Sequence, residues 1–353
     1  MTHAPIRHGG NLLAAVHRYG RPAETWLDLS TGINPDGYPV PPLPADAWQR
    51  LPQDDDGLAG IAAQAYGTAH ALPVAGSQAA IRTLPRLLRP GRVGIAALGY
   101  SEYAPAFAQA GHTVTPLDEA DFQVADLDEA DFQVADLADA LDHLVVVNPN
   151  NPTARLLPID TLRHWHERLA ARGGTLIVDE AFIDCTGAAS LAGSSAAPGL
   201  IVLRSLGKFY GLAGVRCGFV LAQPALLDAL ADQLGHWTVS GPARAVARIA
   251  LTDTAWQAAT RTSLSAAGQR LAILLRDHGL SPVSQPLFSW VPDARAGSLH
   301  EALARQGVWT RLFDAAGGCP SSLRFGLPPN DDAAWQRLDA ALGHARHALP
   351  SLT

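Results

Sequence analysis

One lysine, Lys208, stands among 26 basic residues, and the other 25 are arginines. An amine can shed its proton and attack a carbonyl, whereas a guanidinium stays protonated and is a poor nucleophile. A codon bias towards Arg is the ordinary reading of that imbalance; amine chemistry at Lys208 is the sharper one. Ser205 lies three residues before it and Arg216 eight after it, and a hydroxyl and a guanidinium both suit an anion. Upstream, Val146-Val147-Asn148-Pro149-Asn150-Asn151-Pro152-Thr153 runs an apolar strand pattern into an Asn/Pro turn, and Leu176-Ile177-Val178-Asp179 ends a second run on an acid. Ala75-Gly76-Ser77-Gln78 is a small-residue turn opening a helix, where free amides and the Ser hydroxyl suit a phosphate. Each fragment alone has a plain structural reading as turn, cap or punctuation. Their order and spacing together are more specific.

The elements that must position these residues alternate along the chain. Val93–Leu98, Leu144–Asn148, Thr175–Asp179, Leu200–Arg204 and Cys217–Leu221 read as short strands bounded by Gly, Pro, Asn or Asp. Gln78–Leu88, Ala104–Ala110 and Ile159–Ala171 between them read as helices. Such alternation predicts an α/β fold with a mainly parallel sheet covered on both faces, and ligands bind at the carboxyl ends of such strands. After about residue 222, helical stretches dominate (Pro224–Leu234, Pro242–Leu251, Trp256–Asp277), followed by weaker strand signals at Phe288–Val291 and Ser322–Gly326. The division expected is an arm at 1–35 over the active site, a large domain at 36–222 and a smaller α+β domain at 223–353. The Pro-rich stretch Asn34–Pro44 reads as a linker. DEADFQVADL at 118–127 is repeated letter for letter at 128–137. One ten-residue duplication is too short for a solenoid and lacks the ligand spacing of a calcium loop, so it reads as an insertion in a surface connection.

The totals exclude several classes. Of 353 residues, 48% are apolar and 17% charged, a globular composition. A net charge of -7 offers no basic field for nucleic acid or an anionic membrane. No apolar run reaches the length of a membrane span, and the first ten residues lack a signal peptide's apolar core. Cys185, Cys217 and Cys319 fit neither a disulfide framework nor a zinc site; the expectation is a cytoplasmic protein with no metal.

Read together, Asn148-Pro-Asn-Asn-Pro-Thr153, Asp179-Glu-Ala-Phe182 and Ser205-Leu-Gly-Lys208 with Arg216 resemble the class I/II aminotransferase family of fold-type I pyridoxal 5′-phosphate (PLP) enzymes. The likeness covers nearly the whole chain. It implies the fold-type I transferase fold, with a mainly parallel seven-stranded sheet in the large domain, and a homodimer. It implies that Lys208 carries PLP covalently, that Asp179 pairs with the protonated ring nitrogen, and that Asn151 hydrogen-bonds the ring O3′. Gly76, Ser77, Gln78, Ser205 and Arg216 would hold the 5′-phosphate, and Tyr100 would stack on the ring. Two positions depart from the common pattern. Phe182 stands where many relatives have Tyr, and Leu51 where many send a partner-subunit Tyr to the phosphate.

Within the family, His8-Gly9-Gly10-Asn11, Leu27-Asp-Leu-Ser-Thr-Gly-Ile-Asn-Pro35 and Val202–Gly214 resemble the threonine-phosphate decarboxylase branch of cobalamin biosynthesis. Histidinol-phosphate aminotransferases are the nearest sister and the alternative reading. A non-catalytic PLP-fold module is more remote, since nothing before residue 30 is long enough for a DNA-binding domain. The branch implies a small phosphorylated amino acid as substrate, with Arg324 on its carboxylate and Arg311, His8 and Gly9 towards its phosphate.

Overall fold

The apolar runs form the middle of one seven-stranded sheet. A computed structural model describes residues 9–122 and 140–348. Its main sheet comprises β2 (Leu72–Val74), β3 (Arg92–Ala96), β4 (Thr113–Leu117), β5 (His143–Val147), β6 (Thr175–Asp179), β7 (Leu200–Ser205) and β8 (Gly218–Leu221), in the order β2-β8-β7-β6-β5-β3-β4. All pairings are parallel except those of β8, which runs against both neighbours. The five expected strands are all present, within two residues at each end.

Every residue of β5 to β8 is buried, as a strand covered on both faces requires. Alternate residues enter different cores: Val145, Val147, Ile177, Ile201 and Leu203 one, Leu144, Val146, Leu176, Val178 and Val202 the other. The two strands that the apolar pattern misses are the sheet edges, β2 and β4. Each contains a proline, Pro73 or Pro116, which cannot donate to a ladder on both sides and weakens the strand signature.

The helices follow the same logic. After α1 (Leu12–Tyr19), α2 (Asp46–Gln49) and α3 (Leu58–Tyr66), α4 spans Ser77–Thr83 and passes into a 3₁₀ turn at Leu84–Leu87, because Pro85 has no N–H to continue the α-helical ladder. α5 (Tyr103–Gln109) and α6 (Ile159–Ala170) match their expected positions. Beyond β8 come α7 (Pro224–Leu234), α8 (Gly241–Thr252), α9 (Thr254–Asp277), α10 (Ala296–Arg305) and α11 (Asp332–Ala348). They accompany a four-stranded antiparallel sheet of β12 (Arg311–Phe313), β13 (Ser322–Gly326), β10 (Phe288–Pro292) and β9 (Val283–Gln285).

The amino-terminal segment is tied to the carboxyl-terminal part of the chain. β1 (Leu27–Asp28) pairs in parallel with β11 (Val308–Trp309), and Tyr19, Trp26 and Trp309 pack edge to face. Arg18 and Tyr19 both reach Glu301 on α10. The Asn34–Pro44 stretch does more than link. Asn34 N–H donates to the carbonyl of Lys208 at 3.0 Å and Tyr38 N–H to that of Tyr210 at 2.8 Å. Gly211, at φ +67°, adopts a left-handed turn with Gly37 packed against it, so neither position has room for a side chain. The segment therefore clamps the turn that follows Lys208.

Candidate active site

Topology brings the expected residues to one edge. The carboxyl ends of β5, β6 and β7 and the amino end of the opposed β8 open on the same side. Asn148 follows β5, Asp179 ends β6, Ser205 ends β7 and Arg216 precedes β8. Among the three asparagines of the β5 turn, two build it. Asn148 exchanges hydrogen bonds with the backbone of Leu157, and Asn150 donates to the Leu98 carbonyl at 3.0 Å and to Thr153 Oγ1 at 2.8 Å. Thr153 and Arg155 both bind Glu119, which anchors the turn. Glu119 belongs to the first copy of the duplicated decapeptide; residues 123–137 of the repeat lie outside the described residues. Asn151 is left to face the site. Its Oδ1 accepts from Arg324 Nη1, which turns its Nδ2 outward as a donor.

Asp179 is 4% exposed. Its Oδ1 accepts from Ala181 N–H at 3.0 Å and its Oδ2 from the Tyr103 hydroxyl at 2.7 Å. Burial raises its pKa, while Tyr103, Ala181 and the Lys208 charge act in the opposite direction. Burial, then the charges of Arg324 and Arg216, push Lys208 down to about 8, with Asp179 opposing. An amine at that value supplies the neutral form near neutral pH. Its Nζ lies 5.4 Å from the centre of the Phe182 ring, which itself packs edge to face on Phe288.

Gly76 and Arg216 form a cradle. Gly76 has φ +72°, and a methyl there would meet Arg216 Nη2 at 2.8 Å. α4 starts beside it without a side-chain cap, so the helix that Ser77 opens keeps first-turn amides that no cap occupies. Ser205 Oγ accepts from Gly207 N–H at 3.1 Å, which shapes the turn into Lys208. The Gln78 side chain accepts from the Tyr100 hydroxyl at 3.0 Å and donates to Glu102 at 2.7 Å, which leaves its backbone amide as the part of Gln78 that could face an anion.

Arg324 is 5% exposed, and besides Asn151 it donates to the carbonyl of Ser30 at 2.6 Å. Burial, then Arg311, push its pKa down to about 9. Arg311 on β12 is its direct partner across the antiparallel ladder. Gly9 packs against the Ser30 carbonyl, where any Cβ would clash and would lie 3.4 Å from Arg324 Nη2; Gly10 N–H donates to Ser30 Oγ at 2.8 Å. Gly9 is thus explained by its close approach to the Ser30 carbonyl, and Gly10 by its left-handed φ of +81°. His8 lies outside the described residues. A cavity of about 900 Å³ opens beside this group, lined by Gly9, Asn11, Ser30, Leu98, His300 and Arg311 among others. Sequence reasoning missed Ser30, Glu102 and Tyr103. Glu102 and Tyr103 sat beside Tyr100 in the same motif, but their burial is a tertiary property.

These residues fit PLP. Asp179 is a buried carboxylate whose hydrogen bonds come from neutral donors, so a protonated ring nitrogen complements it. The Gly76–Arg216 cradle suits a phosphate, and Lys208 suits the aldehyde. Among the described residues, no cluster of three or more His, Cys, Asp or Glu side chains could hold a metal ion, and no helix is long and apolar enough to cross a membrane.

Known proteins agree with this geometry. The chain is 52% identical over 338 residues to a threonine-phosphate decarboxylase of Pseudomonas aeruginosa, covering 96% of this chain and 97% of that one. It is 41% identical over 348 residues to a threonine-phosphate decarboxylase of a Sinorhizobium species, covering 96% and 98%. Its fold matches that of the histidinol-phosphate aminotransferase of Sinorhizobium meliloti in complex with pyridoxal-5′-phosphate, at a TM-score of 0.80, 22% identity and coverage of 98% and 96%. The family model for aminotransferase class I and II matches residues 62–341. A PLP-type site on this fold, together with that match, shows that the chain belongs to the aminotransferase class I and II family.

Proposed function

We infer that this PLP-dependent enzyme decarboxylates L-threonine O-3-phosphate to (R)-1-amino-2-propanol O-2-phosphate, a step of cobalamin biosynthesis. The observation that carries the reading is the Arg311–Arg324 pair. Like charges directly opposite on a ladder repel, and one of these two is buried with only neutral acceptors, Asn151 and Ser30, as hydrogen-bond partners. A substrate with two anionic ends resolves both costs at once. The two decarboxylases that match nearly the whole chain fit the same substrate.

When bound, PLP supplies an electron sink for the pair left on Cα as CO₂ departs. The protein's own residues do the rest. Lys208 would hold the cofactor, and its amine, with a pKa near 8 when free, would deliver the proton that replaces CO₂ on Cα. Asp179, as a carboxylate, would accept a hydrogen bond from the protonated ring nitrogen, and Asn151 Nδ2 would donate to O3′. Gly76, Ser77, the Gln78 amide, Ser205 and Arg216 would hold the 5′-phosphate, and Tyr100, steadied by the Gln78 side chain, would stack on the ring. Arg324 grips the substrate carboxylate as a planar fork, while Arg311, with His8 and Gly9 of the arm, takes the substrate phosphate.

Incubation with L-threonine O-3-phosphate alone tests the reading: CO₂ release without any 2-oxo acid is expected. Amino transfer that depends on 2-oxoglutarate, with no CO₂, would make the chain an aminotransferase instead. We further infer a cytoplasmic homodimer built on the 1–35, 36–222 and 223–353 division. The exposed Trp48, Leu51 and Trp237 support an apolar contact surface.

A further inference from the structure

We propose that Tyr103 is a positioning residue that keeps the ring-nitrogen proton on the cofactor side of the Asp179 pair. The proposal rests on the PLP reading above and adds to it a residue that only the three-dimensional structure brings forward.

Tyr103 opens α5, three residues after Tyr100, and is 1% exposed. Its hydroxyl donates to Asp179 Oδ2 at 2.7 Å, while Ala181 N–H occupies Oδ1 at 3.0 Å. A buried phenol needs a partner, and burial followed by the Asp179 charge holds its own pKa well above the usual value, so it stays a donor. The groups around Asp179 make that donor necessary. Lys208 is the cation among them, and its charge changes once it carries the cofactor. Tyr100 also feels the carboxylate. Glu180 is a like charge on the next residue, but its side chain is engaged by Arg204, Ser190 and the Leu191 amide. Burial alone would drive Asp179 towards its neutral form. A neutral carboxylic acid would hold the shared proton itself and leave the ring nitrogen unprotonated, a poorer electron sink. The Tyr103 bond favours the ionised carboxylate and opposes that shift. The Tyr103 ring also meets Tyr100 edge to face, with centroids 6.2 Å apart, so one side chain steadies both the ring-nitrogen partner and the stacking face.

The test uses full-length protein with added PLP. Tyr103→Phe removes one oxygen and keeps the ring. The PLP dissociation constant is expected to rise about tenfold, the loss of one hydrogen bond to a charged group. The ¹⁵N shift of ring-labelled PLP is expected to move towards the neutral-pyridine value, with kcat falling and KM changing little. In an Asp179→Asn background the same change is expected to alter the dissociation constant by less than about twofold, because the charge that Tyr103 serves is gone. An unchanged dissociation constant and ¹⁵N shift in Tyr103→Phe, or an equal loss in both backgrounds, overturns the proposal. Should Tyr103→Phe fail to fold, 3-fluorotyrosine at 103, a stronger donor, is expected to move the ¹⁵N shift the opposite way; no movement overturns the proposal equally. Wild-type protein that takes up no PLP refutes the cofactor reading instead, so the two failures are distinguishable.

Discussion

Arg324→Met separates a binding role from a structural one. Arg324 is buried, and its pKa falls from 12.5 to about 9, with burial the larger cause and Arg311 the second. At neutral pH the side chain is protonated in both folded and unfolded chains, so that depression is a cost carried by the folded state, on the order of 5 kcal/mol at most. The substitution removes the cost. It also strands Asn151 Oδ1 and the Ser30 carbonyl, at roughly 1–3 kcal/mol each. The two effects nearly cancel, so urea unfolding of cofactor-free protein at pH 7 is expected to change by less than about 2 kcal/mol. Catalysis has no such compensation. Loss of a bidentate carboxylate grip removes two charge-assisted hydrogen bonds, and kcat/KM is expected to fall by about 10²–10⁴. A variant that loses much more than about 3 kcal/mol of stability, or one that keeps wild-type kcat/KM, would refute the view of Arg324 as a destabilising residue retained for ligand.

Four further outcomes are expected. Lys208→Ala and Lys208→Arg should each abolish the visible absorption of lysine-bound PLP. In cofactor-free wild type, the depressed Lys208 pKa costs stability at all pH below about 8, and that cost is relieved as pH rises through about 8 towards 10.5; between about pH 8 and 9, below the depressed Arg324 pKa, denaturant midpoints should therefore rise more steeply than in Lys208→Ala. Gly76→Ala places a methyl 2.8 Å from Arg216 Nη2 at φ +72°, so it should lose about 1–2 kcal/mol in denaturant titration and bind PLP at least about tenfold more weakly by absorbance titration. Arg204→Met strips the cation from buried Glu180 and Asp184, next to Asp179, and should cost about 3–5 kcal/mol in urea, with Glu180→Gln in the same chain recovering part of it.

The sequence carried the chemistry further than the architecture. Lys208, Asp179, Asn151 and Arg216 were legible because each has a residue type that few others can replace, set at the end of an apolar run. The interior strands were legible for a related reason: full burial on both faces forces a continuous apolar stretch. β2 and β4 were not, because an edge strand is relieved of half its pairing and tolerates Pro73 and Pro116. The Asn34–Pro44 stretch read as a linker from its prolines, yet proline content reports restricted backbone freedom and not whether a segment is docked. Its role depends on Asn34 and Tyr38 reaching Lys208 and Tyr210, some 170 residues onward. Gln78 was read as part of the phosphate turn through its amide and side chain. That its side chain meets Tyr100 and Glu102 was not legible, because the partnership is fixed by how α4 and α5 pack. Glu102 and Tyr103 left no signal, since an acid and a tyrosine at a helix start are ordinary until burial brings Glu102 to Gln78 and Tyr103 to Asp179.

The lone lysine also acquires a physical reason in the folded chain. The other cations around it, Arg324, Arg216 and Arg311, are guanidiniums. Arg324 and Arg216 lower the Lys208 pKa by their charge, Arg311 lowers that of Arg324, and none of the three can compete with Lys208 for an aldehyde. A lysine in place of Arg324 or Arg216 would put a second amine in the same positive field, where it would lose its proton more readily than a guanidinium. Division of labour between guanidinium and amine thus follows from the site's own electrostatics. A codon bias towards arginine accounts for the lysines missing from the surface, but it does not account for the one that remains beside three arginines and opposite Asp179.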